Sequence, residues 1–297
     1  MLFFLLGTVG LGLGYVLNEV FSSDQNYEEN VSLTLDASGT PEANNTVDQG
    51  TETTTFISPN SVSFSGSETD NEFNLGNISS DTDIQTFGGN DTVTSGSGSD
   101  TIDAGNGDDR VQSGDRDDVV TLGSGNDYWS DIAGRGSSTW GGNDNVFGGN
   151  GNDTLSSLGG ADTLFGNEGN DMLDGADRVP HEPGEQHKDF LSGGSGNDSI
   201  YAYDGDTVLT GSGEDVVTLF SNSDFRSEDA VVIKDFDPTK DVPQIMIPNE
   251  LQTSNMSDVT YKGTDESTIT IAVGGIDIVT LESVYFSELN ENNFILY

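Results

Sequence analysis

The sequence predicts an all-β fold assembled from a nine-residue repeat, and three observations carry that expectation. Over residues 87–218 an aspartate recurs in one slot thirteen times, as Asp91, Asp100, Asp109, Asp118, Asp127, Asp144, Asp153, Asp162, Asp171, Asp189, Asp198, Asp206 and Asp215. Two residues after each stands an apolar side chain: Val93, Ile102, Val111, Val120, Trp129, Val146, Leu155, Leu164, Leu173, Leu191, Ile200, Val208 and Val217. Two residues before ten of them stands a glycine, namely Gly89, Gly98, Gly107, Gly125, Gly142, Gly151, Gly160, Gly169, Gly196 and Gly213. Glycine reaches positive φ without a Cβ penalty, so each unit reads as a six-residue turn and a three-residue strand whose middle residue points inward. One inward residue per nine is a thin core.

Breaks in the spacing test this register. Asp127 to Asp144 is one repeat plus eight residues, and Asp171 to Asp189 is one repeat plus nine. A degenerate repeat in the second gap would put Glu182 in the buried slot, where an unpaired carboxylate is costly, so both gaps read as looped-out insertions. Asp198 to Asp206 is one residue short, which places a tightened turn near Asp204 and Gly205. Upstream, Ile84 stands nine before Val93 with Thr82 in the aspartate slot, as expected of a cap that lacks the repeated carboxylate.

Blocks such as Ser95-Gly96-Ser97-Gly98-Ser99-Asp100-Thr101-Ile102-Asp103 resemble GGxGxDxUx, the calcium-binding nonapeptide of the repeats-in-toxin (RTX, hemolysin-type) family. The resemblance covers about 130 residues and implies a right-handed parallel β-roll with two nonapeptides per coil. Metal is then held between turns stacked on one side, with partners eighteen residues apart, as Asp91 is from Asp109 and Asp153 from Asp171. It further implies that the thirteen repeat aspartates, with Gly96, Gly98, Gly105, Gly107, Gly149, Gly151, Gly194 and Gly196, hold several Ca2+ ions. Calcium takes six to eight oxygens, which carboxylates and glycine-turn carbonyls supply; magnesium demands a tighter octahedron and zinc prefers nitrogen or sulfur.

Composition adds a folding mechanism. There are 52 Asp plus Glu against 9 Lys plus Arg, a formal charge of -43, and no cysteine. Such a charge opposes compaction and repels nucleic acid. With so thin a core, the expectation is a chain disordered without calcium and folded with it, because metal-binding free energy becomes folding free energy. That coupling suits a protein exported unfolded from a calcium-poor cytosol. The family resemblance implies type I secretion machinery as a partner and an extracellular or cell-surface location reached by a Gram-negative route.

The flanks divide the chain into an apolar segment 1–21, an acidic flexible linker 22–72, the repeats at 73–220, and a C-terminal β cap with a secretion signal at 221–297. The segment Leu2 to Leu17 is uncharged and, as a helix, short of a bilayer core; membrane association through residues 2–21, an unusual signal peptide, and burial against the protein all stay open. Linker composition is Ser, Thr, Asn and acidic residues without Lys or Arg. Beyond 220, residues 230–237 resemble the Asp-Phe element that follows such repeats, with Asp241 as a second acid. Lys240 and Pro243 depart from that element and argue against a further calcium site. Ile269–Val273 and Ile276–Ile278 alternate around Gly274-Gly275 as a β-hairpin. The end, Glu291 to Tyr297, resembles a C-terminal export signal or is a last strand.

Nothing in the sequence marks a catalytic centre. The two histidines, His181 and His187, stand six apart around Pro183-Gly184, so they cannot share a helix face as HExxH does. They read as an exposed insertion, with a loop zinc or copper site as the alternative. Gly-x-Ser-x-Gly matches arise from the turns themselves, and no threonine ladder offers a flat ice-facing array. The expected function is a non-enzymatic, calcium-dependent structural or adhesive protein that contacts cell-surface polysaccharide or protein. The alternative is an accessory module of an extracellular polysaccharide-modifying or proteolytic enzyme system.

Overall fold

The computed structural model describes residues 61–76, 78–131, 141–176, 187–220, 230–246 and 284. It adds the strand residues Val16–Glu19, Val31–Thr34, Thr46–Asp48, Thr53–Ser58, Val259–Asp265, Thr268–Val273, Ile276–Glu282 and Ile295–Leu296. The described residues hold strands and turns only, and the strands of the repeats pair in parallel across successive coils. Each coil contributes one strand to a ten-stranded sheet and one to a fourteen-stranded sheet. The fold is a parallel β-roll.

The apolar slot builds the core as two stacks. In the ten-stranded sheet Phe73, Val93, Val111, Trp129, Leu155, Leu173, Ile200 and Val217 align coil upon coil. In the other, Ile84, Ile102, Val120, Val146, Leu164, Leu191, Val208 and Ile233 do the same. All are buried. Both long gaps loop out as expected: Tyr128 pairs directly with Thr154 and Thr163 with Phe190, so the insertions leave the stack in register. The short coil closes through a turn in which the Asp206 N–H donates to the Tyr203 carbonyl at 3.1 Å.

Two features of the repeat differ from the expectation of a three-residue strand with one inward residue. Strands of the fourteen-stranded sheet within the roll mostly run six residues, as in Thr101–Asn106 and Asn145–Asn150, because pairing continues through a glycine (Gly123 with Gly149). A second inward slot lies two residues after the apolar one. It holds Thr86, Ser95, Ala104, Ser113, Leu122, Asp131, Gly148, Ser157, Gly166, Gly175, Gly193, Ala202, Thr210 and Leu219, all buried. The core therefore has two columns per sheet, the second made largely of small and polar residues.

Both ends of the fourteen-stranded sheet turn antiparallel. Thr46–Asp48, Thr53–Ser58 and Ser61–Ser65 form an antiparallel meander whose last strand pairs in parallel with Asp81–Gln85. Within residues 22–72, read from the sequence as a linker, the strands from Thr46 onward extend the sheet. Val16–Glu19, at the end of the apolar segment, is a strand paired with Val31–Thr34; residues 1–15 lie outside the described residues. Among the described residues no helix is long and apolar enough to cross a membrane. At the other end the expected hairpin forms from Thr268–Val273 and Ile276–Glu282, the latter parallel to Val231–Ile233, while its Gly274-Gly275 turn lies outside the described residues. Ile295–Leu296 adds a strand to the ten-stranded sheet beside Gln244 and Ile245.

Candidate metal centre

Every repeat aspartate sits at the end of a turn, immediately before a strand, and the two edges of the roll collect them into two rows. One edge carries Asp91, Asp109, Asp127, Asp153, Asp171, Asp198 and Asp215; the other carries Asp100, Asp118, Asp144, Asp162, Asp189 and Asp206. Along each row the Oδ1 of one aspartate accepts the main-chain N–H of the aspartate one coil earlier, at 2.8–2.9 Å. Asn71 and Thr82 start the rows by donating their N–H groups to Asp91 and Asp100 at 2.7 Å. Thr82 therefore caps its row without a carboxylate, as its sequence position indicates. A second ladder runs the other way along the exposed turn: the N–H of Asn170 donates to Asn152 Oδ1 at 2.7 Å, and that of Asn152 to Asn126 Oδ1 at 3.0 Å.

The second carboxylate oxygen is the chemically informative one. The Oδ2 atoms of Asp91, Asp100, Asp109, Asp118, Asp127, Asp144, Asp153, Asp162, Asp171, Asp198 and Asp215 are buried and have no hydrogen-bond partner. Leaving so many buried acceptors unsatisfied is expensive, and in native proteins such atoms signal an ion or water. Burial pushes the carboxyls up, to about 6 at Asp153, Asp171 and Asp198, about 7 at Asp109 and about 8 at Asp144; the ladder hydrogen bonds pull the other way. A cation beside each Oδ2 would reverse that cost.

Main-chain oxygens complete the cradle. A Cβ at Gly148 would lie 2.5 Å from Asp153 Oδ2 and 2.8 Å from the Gly166 carbonyl oxygen of the next coil, so the missing side chain leaves room where the two oxygens meet. Gly166 and Gly193 repeat the arrangement with Asp171 and the Gly193 carbonyl, and with Asp198 and the Thr210 carbonyl. The carbonyls of Gly96, Gly105, Gly107, Gly151, Gly194 and Gly196 point along the stack, where a Cβ on the glycine of the next coil would overlap them. Among the described residues no three acidic or histidine side chains form a metal site by themselves. The donor set is hard and mixed, carboxylate plus carbonyl, which fits calcium and not zinc.

Sequence reasoning missed the second inward slot, which supplies the Gly166, Gly193 and Thr210 carbonyls. The signal available was the buried alternation two residues past each apolar slot, obscured by residues as different as Gly148, Ser113, Leu122 and Asp131. Asp241 continues the first row, its Oδ1 facing the Asp215 N–H at 3.5 Å, but its Oδ2 accepts from the Asp237 N–H at 2.7 Å and Thr210 Oγ1 at 3.1 Å. It has no oxygen to spare, and the row ends there. His187 Nδ1 accepts the Gly160 N–H at 2.9 Å, while His181 lies outside the described residues.

Residues 85–120, 103–128, 141–177 and 183–217 match the RTX calcium-binding nonapeptide repeat (4 copies). Among solved structures, the extracellular lipase LipA from Serratia marcescens is similar at 16% identity over 77% of this chain and 38% of the lipase, with a TM-score of 0.22. This chain thus spans well under half the length of that enzyme. No curated protein matches the chain.

Proposed function

We propose that calcium drives the folding of this chain, whose residues 85–128, 141–177 and 183–217 match the RTX calcium-binding nonapeptide repeat, and that the folded β-roll serves as a secreted structural or adhesive component. The observation that carries the folding step is the row of buried Oδ2 atoms without partners. Calcium supplies one positive centre per cradle, held by the repeat aspartates and by turn carbonyls including those of Gly96, Gly98, Gly105, Gly107, Gly149, Gly151, Gly194 and Gly196. A charge of -43 keeps the metal-free chain expanded, and therefore competent for passage through type I secretion machinery. Calcium outside the cell then folds it in place.

Far-ultraviolet circular dichroism tests this directly. Calcium titrated into chelated protein should raise the β signal steeply, and magnesium should do so poorly. A fully β spectrum in excess chelator sinks the coupling. For export, residues 221–297 should carry a reporter through a type I exporter, and deletion of residues 1–21 should not stop secretion of the chain; loss of export on that deletion alone would overturn the route.

The adhesive reading is supported by the acidic solenoid that the repeats build. Retention on cell-surface polysaccharide in calcium, lost in chelator, is the expected result. Hydrolysis of such a polysaccharide or of casein by the purified chain would instead favour the enzyme-system alternative.

A further inference from the structure

Asp131 lies outside the aspartate register and is buried at 1% exposure, with neither carboxylate oxygen hydrogen-bonded. It follows the strand Tyr128–Ser130 in the second inward slot. The same slot on the neighbouring coils of that edge holds Ser95, Ser113 and Ser157, all uncharged. The serines find partners: Ser95 Oγ donates to the Ser113 carbonyl, and Ser157 Oγ to the Asp174 carbonyl at 3.4 Å. Asp131 has only its main chain engaged, its N–H donating to the Ser156 carbonyl at 3.2 Å.

Its side chain is aimed at a place where other oxygens converge. A Cβ on Gly141 would overlap both Asp131 Oδ2 and the carbonyl oxygen of Gly159 on the next coil. Around this point stand Asp144, Asp162, Asp118 and Asp115, close enough to act electrostatically on Asp131. Asp115 Oδ1 and the Oδ2 atoms of Asp118, Asp144 and Asp162 are themselves buried without partners. A buried acid in this slot costs more than serine, and a bound cation is what would offset it. In calcium sites, carboxylate count is one of the determinants of affinity.

Resting on the calcium-binding reading above, we propose that Asp131 is an additional metal ligand, which with the Gly159 carbonyl and the Asp144 row makes the tightest cation site of the roll, the first to fill. Later sites then stack outward from an already ordered pair of coils. A trivalent lanthanide, with its higher charge, should favour this site most.

Trp129, two residues from Asp131 and buried with its Nε1–H donating to Ser113 Oγ at 3.1 Å, provides the probe. Terbium is titrated into the full chain carrying Trp140→Phe, with emission excited through Trp129, alongside Asp131→Asn and Asp131→Ser in the same background. The expected result is a tight first phase that moves at least about tenfold to higher terbium in both variants, while saturating calcium still gives their β spectrum. Asn keeps the shape of a protonated acid and Ser copies the neighbouring coils, so folding survives in one or the other. Terbium curves that superimpose on the parent's overturn the assignment and make Asp131 a protonated structural group. If calcium gives no β signal in the parent chain, the calcium reading itself falls.

Discussion

Asp171 Oδ1 accepts the main-chain N–H of Asp153, one coil earlier, at 2.8 Å, while Asp171 Oδ2, equally buried, accepts nothing. One carboxylate thus has two separable oxygens: Oδ1 ties neighbouring coils together, and Oδ2 is the atom that the proposed function assigns to calcium.

Asp171→Asn and Asp171→Ala separate those roles. Asparagine keeps the ladder acceptor and removes the charge, so the chelated chain should be no less folded than the parent, yet should need several-fold more calcium to complete its β transition. Alanine removes both, and should cost about 1–3 kcal/mol beyond the asparagine variant at saturating calcium, the penalty for leaving the buried Asp153 N–H without an acceptor. Calcium titrations followed by urea unfolding measure the two effects. Identical behaviour of the two variants would mean that Oδ1 holds nothing.

Position along the row should matter. Asp153 has Asp127 and Asp171 as neighbours, each with a spare Oδ2, whereas Asp215 has Asp198 on one side and, on the other, Asp241, whose oxygens are already engaged. Asp153→Ala should therefore raise the calcium midpoint more than Asp215→Ala does, and Asp241→Ala least of the three. Equal midpoints would point to independent sites in place of stacked, cooperative ones.

The parts of this architecture with a strict chemical requirement were legible in the sequence. An aspartate in the Asp153 slot and an apolar residue in the Leu155 slot recur in all thirteen repeats, so the two inserted loops could be removed by counting. The second inward slot was hidden because stacking there tolerates Gly148, Ala104, Ser113 or Leu122 alike; its requirement is for small volume or for packing, not for one chemistry. The six-residue strands were hidden because a glycine such as Gly149 reads as a turn although it stays in the ladder. Composition did not reveal the strand Thr53–Ser58, a run rich in polar threonines that pairs on both sides. Asp241 was discounted for Lys240 and Pro243, yet Pro243 sits second in its strand, opposite Val217, where the register still holds.

Phe87 offers a test of backbone strain. It adopts φ 71, a region in which a bulky side chain is an outlier, and is 44% exposed, so little packing restrains it. Its counterpart one coil on is Gly105, at φ 98. Phe87→Gly should relieve roughly 1–2 kcal/mol of left-handed strain and lose part of that to the greater freedom of an unfolded glycine, for a net gain of about 0.5–1 kcal/mol. Thermal unfolding in saturating calcium reads the change. A lowered midpoint would show that the Phe87 ring contributes contacts worth more than the strain.

The metal-free roll should respond to pH in the direction opposite to the calcium-loaded one. Burial raises Asp127 and Asp198 to about 6, Asp109 to about 7, Asp144 to about 8 and Asp118 to about 9, from an ordinary value of 3.8. Between those limits the folded, metal-free chain binds more protons than the unfolded chain, so its stability falls as pH rises. The contribution is fully present below the ordinary carboxylate value and is lost progressively as pH rises through about 6 to 9. In chelator, lowering the pH from 8 to 4.5 should increase the β signal. With calcium the sign reverses, because protons and calcium compete for the same oxygens, and the calcium midpoint should climb as pH falls below about 7. Relief of overall self-repulsion would also favour the acid form, but that component is screened by salt, whereas buried charges are screened far less. Repeating the chelated series in 0.5 M KCl therefore distinguishes them: a pH response that survives salt belongs to the buried aspartates, and one abolished by salt, or a calcium midpoint indifferent to pH, would refute their role.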